Sequence, residues 1–171
     1  MSFEIDISDS QDTLPIDVQA LTRAIERALQ IENVSSAVLS ISIVDNDAIH
    51  RINREHLQHD YPTDVISFQL DFALNDEAID PVDATGDLRA AGAMIQGEII
   101  ASAQMASEMA SAGKWTAMNE LTLYVIHGLL HICGYDDLSH EEKAIMRSRE
   151  ITILNAVGLT PIYPDDDYQT V

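Results

Sequence analysis

A chain of 171 residues is long enough for one domain with one real core, and its apolar share of 46% is ordinary for a globular protein. Twenty-nine acidic residues against nine basic ones give a formal charge of −20. That balance excludes a broad basic surface for nonspecific nucleic-acid binding, so any contact with RNA needs a local basic patch, a metal ion or a partner protein. The single cysteine, Cys133, excludes an internal disulfide framework, and no apolar run reaches the length of a membrane span. The start Met1-Ser2-Phe3-Glu4-Ile5-Asp6 lacks the basic segment and apolar run of a signal peptide, so the expectation is a cytoplasmic protein with no membrane role.

Phe3 to Ile7 alternates apolar and acidic residues, as a strand with one buried face does. Asp12-Thr13-Leu14-Pro15 reads as a helix start with proline in the first turn, followed by Leu21, Ala24, Ile25, Ala28 and Leu29 at helical spacing. Val38 to Val44 is a second strand, with Leu39, Ile41 and Ile43 on one face and Ser40 and Ser42 on the other. Asp45-Asn46-Asp47 caps a short helix carrying Ile49, Ile52 and Leu57, which Tyr61-Pro62-Thr63-Asp64 breaks. Val65 to Phe68 is a short strand, and the acid-rich stretch from Asp71 to Gly92 reads as a solvated loop or weak hairpin.

Gln96 to Ala101 returns as a strand, followed by an alanine-rich helix from about Ser102 to Ala112 that Gly113 ends. A further helix runs from about Thr116 to Cys133. Ser139-His140-Glu141-Glu142 has capping-box spacing and opens a last helix stopped by Gly158. The acidic tail, about 163–171, reads as disordered. No linker divides the chain, so residues 1–171 are expected to form a single α+β (layered α/β) domain. Its one small mixed sheet of about four strands would be packed with helices, with the metal site on a buried helix.

The chemistry concentrates in His127-Gly128-Leu129-Leu130-His131-Ile132-Cys133-Gly134-Tyr135-Asp136-Asp137. Leu121 to Ile126 is apolar on almost every side, the mark of a buried helix. Histidines at i and i+4 lie about 40° apart on one face and about 6 Å apart along the axis, so both imidazoles can reach one metal ion. Gly134 offers a helix stop, after which the chain can bring Asp136 and Asp137 back to that face. Two imidazoles and a carboxylate with an open fourth position form a catalytic ligand set. A zinc peptidase would carry glutamate after the first histidine as its base; Gly128 stands there, which argues against peptide hydrolysis. Gly128 has two readings of equal weight, close approach of a ligand to the helix or a packing accommodation. Cys133, about 200° round from His131, faces the core. Asp136 either orients a histidine or caps the glycine turn, and Asp64 follows a proline turn that its side chain can cap.

His-Gly-Leu-Leu-His-x-x-Gly-Tyr-Asp resembles the signature of the bacterial YbeY family, metal-dependent endoribonucleases of ribosomal RNA maturation. Pro62-Thr63-Asp64-Val65-Ile66-Ser67-Phe68, Gly97-Glu98-Ile99-Ile100, and Met146, Arg147 and Glu150 resemble further family segments in the same order. The resemblance implies a zinc ion on His127, His131 and the residue six after the second histidine. That residue is usually histidine in the family and is Asp137 here. A carboxylate leaves the ion less electrophilic than three neutral imidazoles would, and the same ligands suit iron or nickel. His140 is a rival third ligand, and His56 and His59 read as exposed loop residues.

The family usually carries arginine six residues before the threonine of Pro-Thr-Asp-Val, where this chain has Leu57. Arg54, about one turn earlier, is the candidate catalytic arginine; it either binds phosphate or is a solvated helix residue. The resemblance thus implies a zinc-dependent endoribonuclease acting in ribosomal RNA maturation and ribosome assembly. Its partners would be ribosomal RNA or a ribosomal subunit, with a ribosomal or assembly protein alongside. The rivals are an assembly factor with a structural metal, which the acidic surface and Leu57 favour, and a metal-dependent hydrolase of a small molecule.

Overall fold

The computed structural model describes residues 1–74 and 88–164. Its elements are β1 (Ser2–Asp9), α1 (Val18–Ile31), β2 (Ser36–Val44), α2 (Asn46–Leu57), β3 (Val65–Leu74), β4 (Ala93–Ser102), α3 (Ala103–Met109), α4 (Ala117–Ile132) and α5 (His140–Ala156). The four strands form one mixed sheet in the order β1-β2-β4-β3. The β1–β2 and β2–β4 pairs are parallel and β3–β4 is antiparallel. Helices pack on this sheet in an α+β arrangement, as expected from the sequence.

Alternation in the strands decides where the core lies. Leu39, Ile41 and Ile43 of β2 and Ile95, Ile99 and Ala101 of β4 point to one face, where they meet α1, α4 and α5 in the main cluster. Val44, Ile66 and Ile100 point the other way and take Ile49 of α2 in a smaller one. Cys133 is fully buried, as its helical angle demanded.

Three boundaries differ from the sequence reading. The first helix starts at Val18 with Asp17 as its cap, Oδ1 accepting from Ala20 N at 3.0 Å, rather than at Asp12. Gln11 holds the preceding turn: its Oε1 accepts from the backbone N–H groups of Thr13 and Leu14, so those donors are met without a helix. The third strand continues past Phe68 to Leu74 through a register irregularity between Gln69 and Asp71. It is an edge strand, so its polar residues face solvent and disguise it as loop. Residues 75–87 of the expected loop, and 165–171 of the expected disordered tail, lie outside the described residues. The alanine-rich helix ends at Met109, three residues before the expected Ala112.

Close packing of α4 on the sheet sets the position of its histidines. A Cβ at Gly128 would stand 3.1 Å from Ile99 Cγ2 and 3.2 Å from Val65 Cγ2, so this glycine is a packing accommodation. One turn later Ile132 sits over Gly97, where a Cβ would meet Ile132 Cδ1 at 2.5 Å and the Phe68 carbonyl oxygen at 2.9 Å. Ile132 can rotate; the strand carbonyl cannot withdraw without breaking the ladder. Gly97→Val should therefore destabilise the fold by about 1–3 kcal/mol, read as a lowered urea midpoint at unchanged slope.

Candidate metal centre

The C-terminus of α4 builds the site. Gly134 takes φ +98°, and the N–H groups of Gly134 and Tyr135 bond the carbonyls of His131 and Leu130 at 3.0 and 3.1 Å. This is a Schellman closure, with glycine at the position that requires a left-handed backbone. It reverses the chain and delivers Tyr135, Asp136 and Asp137 beside the last turn of the helix. Buried Tyr135 pins the reversal: its hydroxyl donates to Glu32 Oε2 at 2.7 Å, and Arg149 Nε holds Glu32 Oε1 at 2.8 Å. Glu32 is fully buried, so its charge depends on these partners.

His127, His131 and Asp137 come together. Their Nε2 atoms lie 3.1 Å apart, and Asp137 places Oδ2 at 3.5 Å from His127 Nε2 and Oδ1 at 3.7 Å from His131 Nε2. Donors about 2.0–2.1 Å from a tetrahedral ion stand about 3.3 Å from one another. The observed separations bracket that value, so the three residues fit a small divalent ion, and they form a group that could hold one. The second ring nitrogens are both engaged. His127 Nδ1 meets Glu150 Oε1 at 2.6 Å, and His131 Nδ1 meets the Tyr135 carbonyl at 3.0 Å. Each imidazole is thereby held with Nδ1 protonated, the tautomer that turns the Nε2 lone pair toward the shared point.

The charges agree with this geometry. Burial pulls the His127 pKa down, but hydrogen bonds to Asp137 and Glu150 outweigh it and bring it up to about 9. The neighbour His131 is held below its ordinary value by burial and by the charge on His127. The hydrogen bond from His127 takes Asp137 down to about 2 against the opposing effect of burial. Burial would raise Glu150, yet the hydrogen bond from His127 and the charges of His127 and Arg147 keep it below the usual carboxylate range. The acids that stabilise a proton on His127 would stabilise a cation at the same point, and a metal ion would displace that proton on binding.

Glu150, fully buried on α5, also accepts from Arg147 Nη1 at 3.1 Å and from the Tyr163 hydroxyl at 2.7 Å. The sequence reading gave these residues no role in the site. A signal was present: Glu150 shares a helical face with Met146, Ile153 and Leu154, where an acid is out of place unless something pairs it. A cleft of about 580 Å³ opens beside the site, bordered by His127, Asp137, Arg147, Glu150 and Tyr163 and running to Asp64 and Glu120.

Arg54 is not among the residues lining the cleft; its side chain is 58% exposed and lies 3.9 Å from Asp60. Leu57 is likewise outside it and exposed. Asp136 caps the turn, accepting from Leu138 N at 3.2 Å, and Asp64 accepts from Val65 N at 2.7 Å. His140 is the first residue of α5 and is not in the three-residue group; His56 and His59 are exposed.

A sequence profile described as Endoribonuclease YbeY matches residues 6–158. Proteins named Endoribonuclease YbeY are similar over most of the chain. The one from Rhodopirellula baltica is 39% identical over 86% of this chain and 68% of its own. The one from Bacillus licheniformis is 36% identical over 94% and 98%, and the one from Bacillus velezensis 37% identical over 94% and 99%. The solution structure of TM1509 from Thermotoga maritima shares the fold, with a TM-score of 0.52 at 23% identity, covering 89% of this chain and 90% of that one. By the extent of the profile match and the identity of these relatives, the chain belongs to the YbeY family.

Proposed function

We propose that the protein is a metal-dependent endoribonuclease that hydrolyses phosphodiester bonds of ribosomal RNA in the cytoplasm, during rRNA maturation and ribosome assembly. The observation that carries this reading is the His127, His131 and Asp137 donor set at metal-ligand spacing, partly open to solvent, with His127 and Asp137 on the wall of a cleft. The family's name supports RNA as the substrate. Among the described residues no helix is long and apolar enough to cross a membrane. Zinc is the first choice for two imidazoles and a carboxylate, with iron or nickel as alternatives.

His127, His131 and Asp137 would hold the ion, which supplies Lewis acidity toward a phosphate oxygen or water. Glu150 and the Tyr135 carbonyl keep both imidazoles in the ligating tautomer. Asp137, ionised across the working pH range, needs no deprotonation. Three protein donors would leave a fourth position to water or substrate, as catalytic sites do and closed structural sites do not.

Purified protein should cleave structured ribosomal RNA, and a chelator should stop it. Chelator-resistant cleavage would point to a contaminant; a metal-loaded protein that leaves RNA intact would favour the assembly-factor reading. Arg54→Ala tests the arginine that stands one turn from Leu57. If Arg54 binds phosphate during turnover, the variant should cleave about tenfold more slowly at full metal content, and an unchanged rate would remove it from the mechanism.

A further inference from the structure

RNA is a polyanion, while this chain carries a net charge of −20. The cleft itself is lined by four carboxylates, Asp64, Glu120, Asp137 and Glu150, against two cations, Lys143 and Arg147. A divalent ion between His127, His131 and Asp137 would only balance the surplus of acids. A phosphodiester therefore has to find a local cationic wall, and the charges are not evenly mixed. Glu120 and Asp64 act on Tyr124, whose hydroxyl is pushed well up, first by burial and then by the charges of those two acids. Their field repels phosphate from the part of the lining around Tyr124.

Both cations of the lining come from α5, at positions i and i+4, so their side chains share one face of the helix. The Arg147 guanidinium is held on two sides: its Cζ lies 3.9 Å over the Tyr163 ring, and Nη1 donates to Glu150 Oε2 at 3.1 Å. Stacking fixes the plane of the group while it borders the cleft beside His127 and Asp137. A fixed planar fork suits phosphate better than a flexible surface charge does.

We propose that Arg147 and Lys143 form the phosphate seat of this cleft and bind the backbone of single-stranded RNA beside His127 and Asp137. This rests on the ribonuclease reading for its substrate class. It gives the α5 wall of the cleft to phosphate and leaves the apolar walls near Met105, Leu123 and Tyr124 to the base or sugar. Arg147 thereby supplies a cation at the site that neither Leu57 nor Arg54 brings to the cleft lining.

The test is binding of a fluorescent 2′-O-methyl single-stranded RNA of about twelve nucleotides to the full chain as purified, titrated across salt concentrations, with the probe checked intact on a gel. Arg147→Ala should weaken binding about tenfold and Lys143→Ala about threefold, each flattening the salt dependence by about one ion. Arg147→Lys should restore the slope but not the whole affinity. Arg23→Ala and Arg27→Ala, in α1 on a separate groove, should leave both quantities unchanged. Metal content is measured for every variant, because Arg147 also touches Glu150; Lys143→Ala reads the seat independently if Arg147→Ala folds poorly. Wild-type affinity and slope in both Arg147→Ala and Lys143→Ala would overturn the proposal. An equal loss in Arg23→Ala would do the same, since binding would then be diffuse. If the wild type binds the probe through these residues yet never cleaves RNA, the nuclease reading fails and the seat stands.

Discussion

Asp137→Ala should weaken divalent-ion binding about a hundredfold, whereas Asp137→His should keep it. The carboxylate supplies the third donor, 3.5 and 3.7 Å from the two imidazole nitrogens, and among the described residues no other acid stands in the same group. Structural zinc sites bind with on the order of 10–16 kcal/mol over four ligands, so one ligand carries about 3 kcal/mol, roughly two orders of magnitude in affinity. Histidine at 137 should serve because imidazole reaches the same point from the same turn, fixed by Gly134 and Tyr135. Asp136→Ala should do less harm to binding, since Asp136 spends its oxygen on the Leu138 N–H. Competition against a chromophoric chelator gives all three affinities. Wild-type affinity in Asp137→Ala, with loss in Asp136→Ala or His140→Ala, would move the third ligand elsewhere.

The parts of this site legible in the sequence are those that one helix and its stop encode. His127 and His131 share a face because of helical spacing, and Gly134 announces the reversal that returns Asp136 and Asp137; the choice of Asp137 between them comes from the family resemblance. What stayed hidden comes from distant segments. Glu32 at the end of α1 anchors Tyr135, and Glu150 on α5 sets the tautomer of His127; both contacts span large sequence separations. The same division holds for the fold. Helix α4 is plain in the sequence because Leu121 to Ile126 is apolar on almost every side, whereas β3 reads short because an edge strand shows its polar side chains to water. The start of α1 is ambiguous in the sequence because Asp12 and Asp17 are both good caps, and the side chain of Gln11 decides between them.

Glu150→Gln should lower metal affinity about 10–100-fold while the protein remains folded, although the residue would not touch the metal. The argument is a count of donors and acceptors. Oε1 of Glu150 takes the proton of His127 Nδ1, and Oε2 takes those of Arg147 Nη1 and the Tyr163 hydroxyl. All three partners donate, which a carboxylate satisfies and an amide cannot. If the glutamine oxygen faces Arg147 and Tyr163, its NH₂ faces His127 Nδ1, which must then accept. That places the histidine proton on Nε2, the nitrogen meant for the metal. If the amide turns the other way, its NH₂ opposes two donors and the Arg147 side of the network breaks. The first orientation disfavours the ligating state of His127, and the second keeps that state only by giving up the Arg147 contact that anchors the side chain. Glu150→Ala goes further: it leaves Arg147 beside an apolar void without its buried counter-charge, and should destabilise the fold by about 3–5 kcal/mol as well. Chelator competition and urea unfolding separate the two effects. A Glu150→Gln protein with wild-type metal affinity would mean that Glu150 serves the packing of α5 alone and that the tautomer of His127 is set by something else.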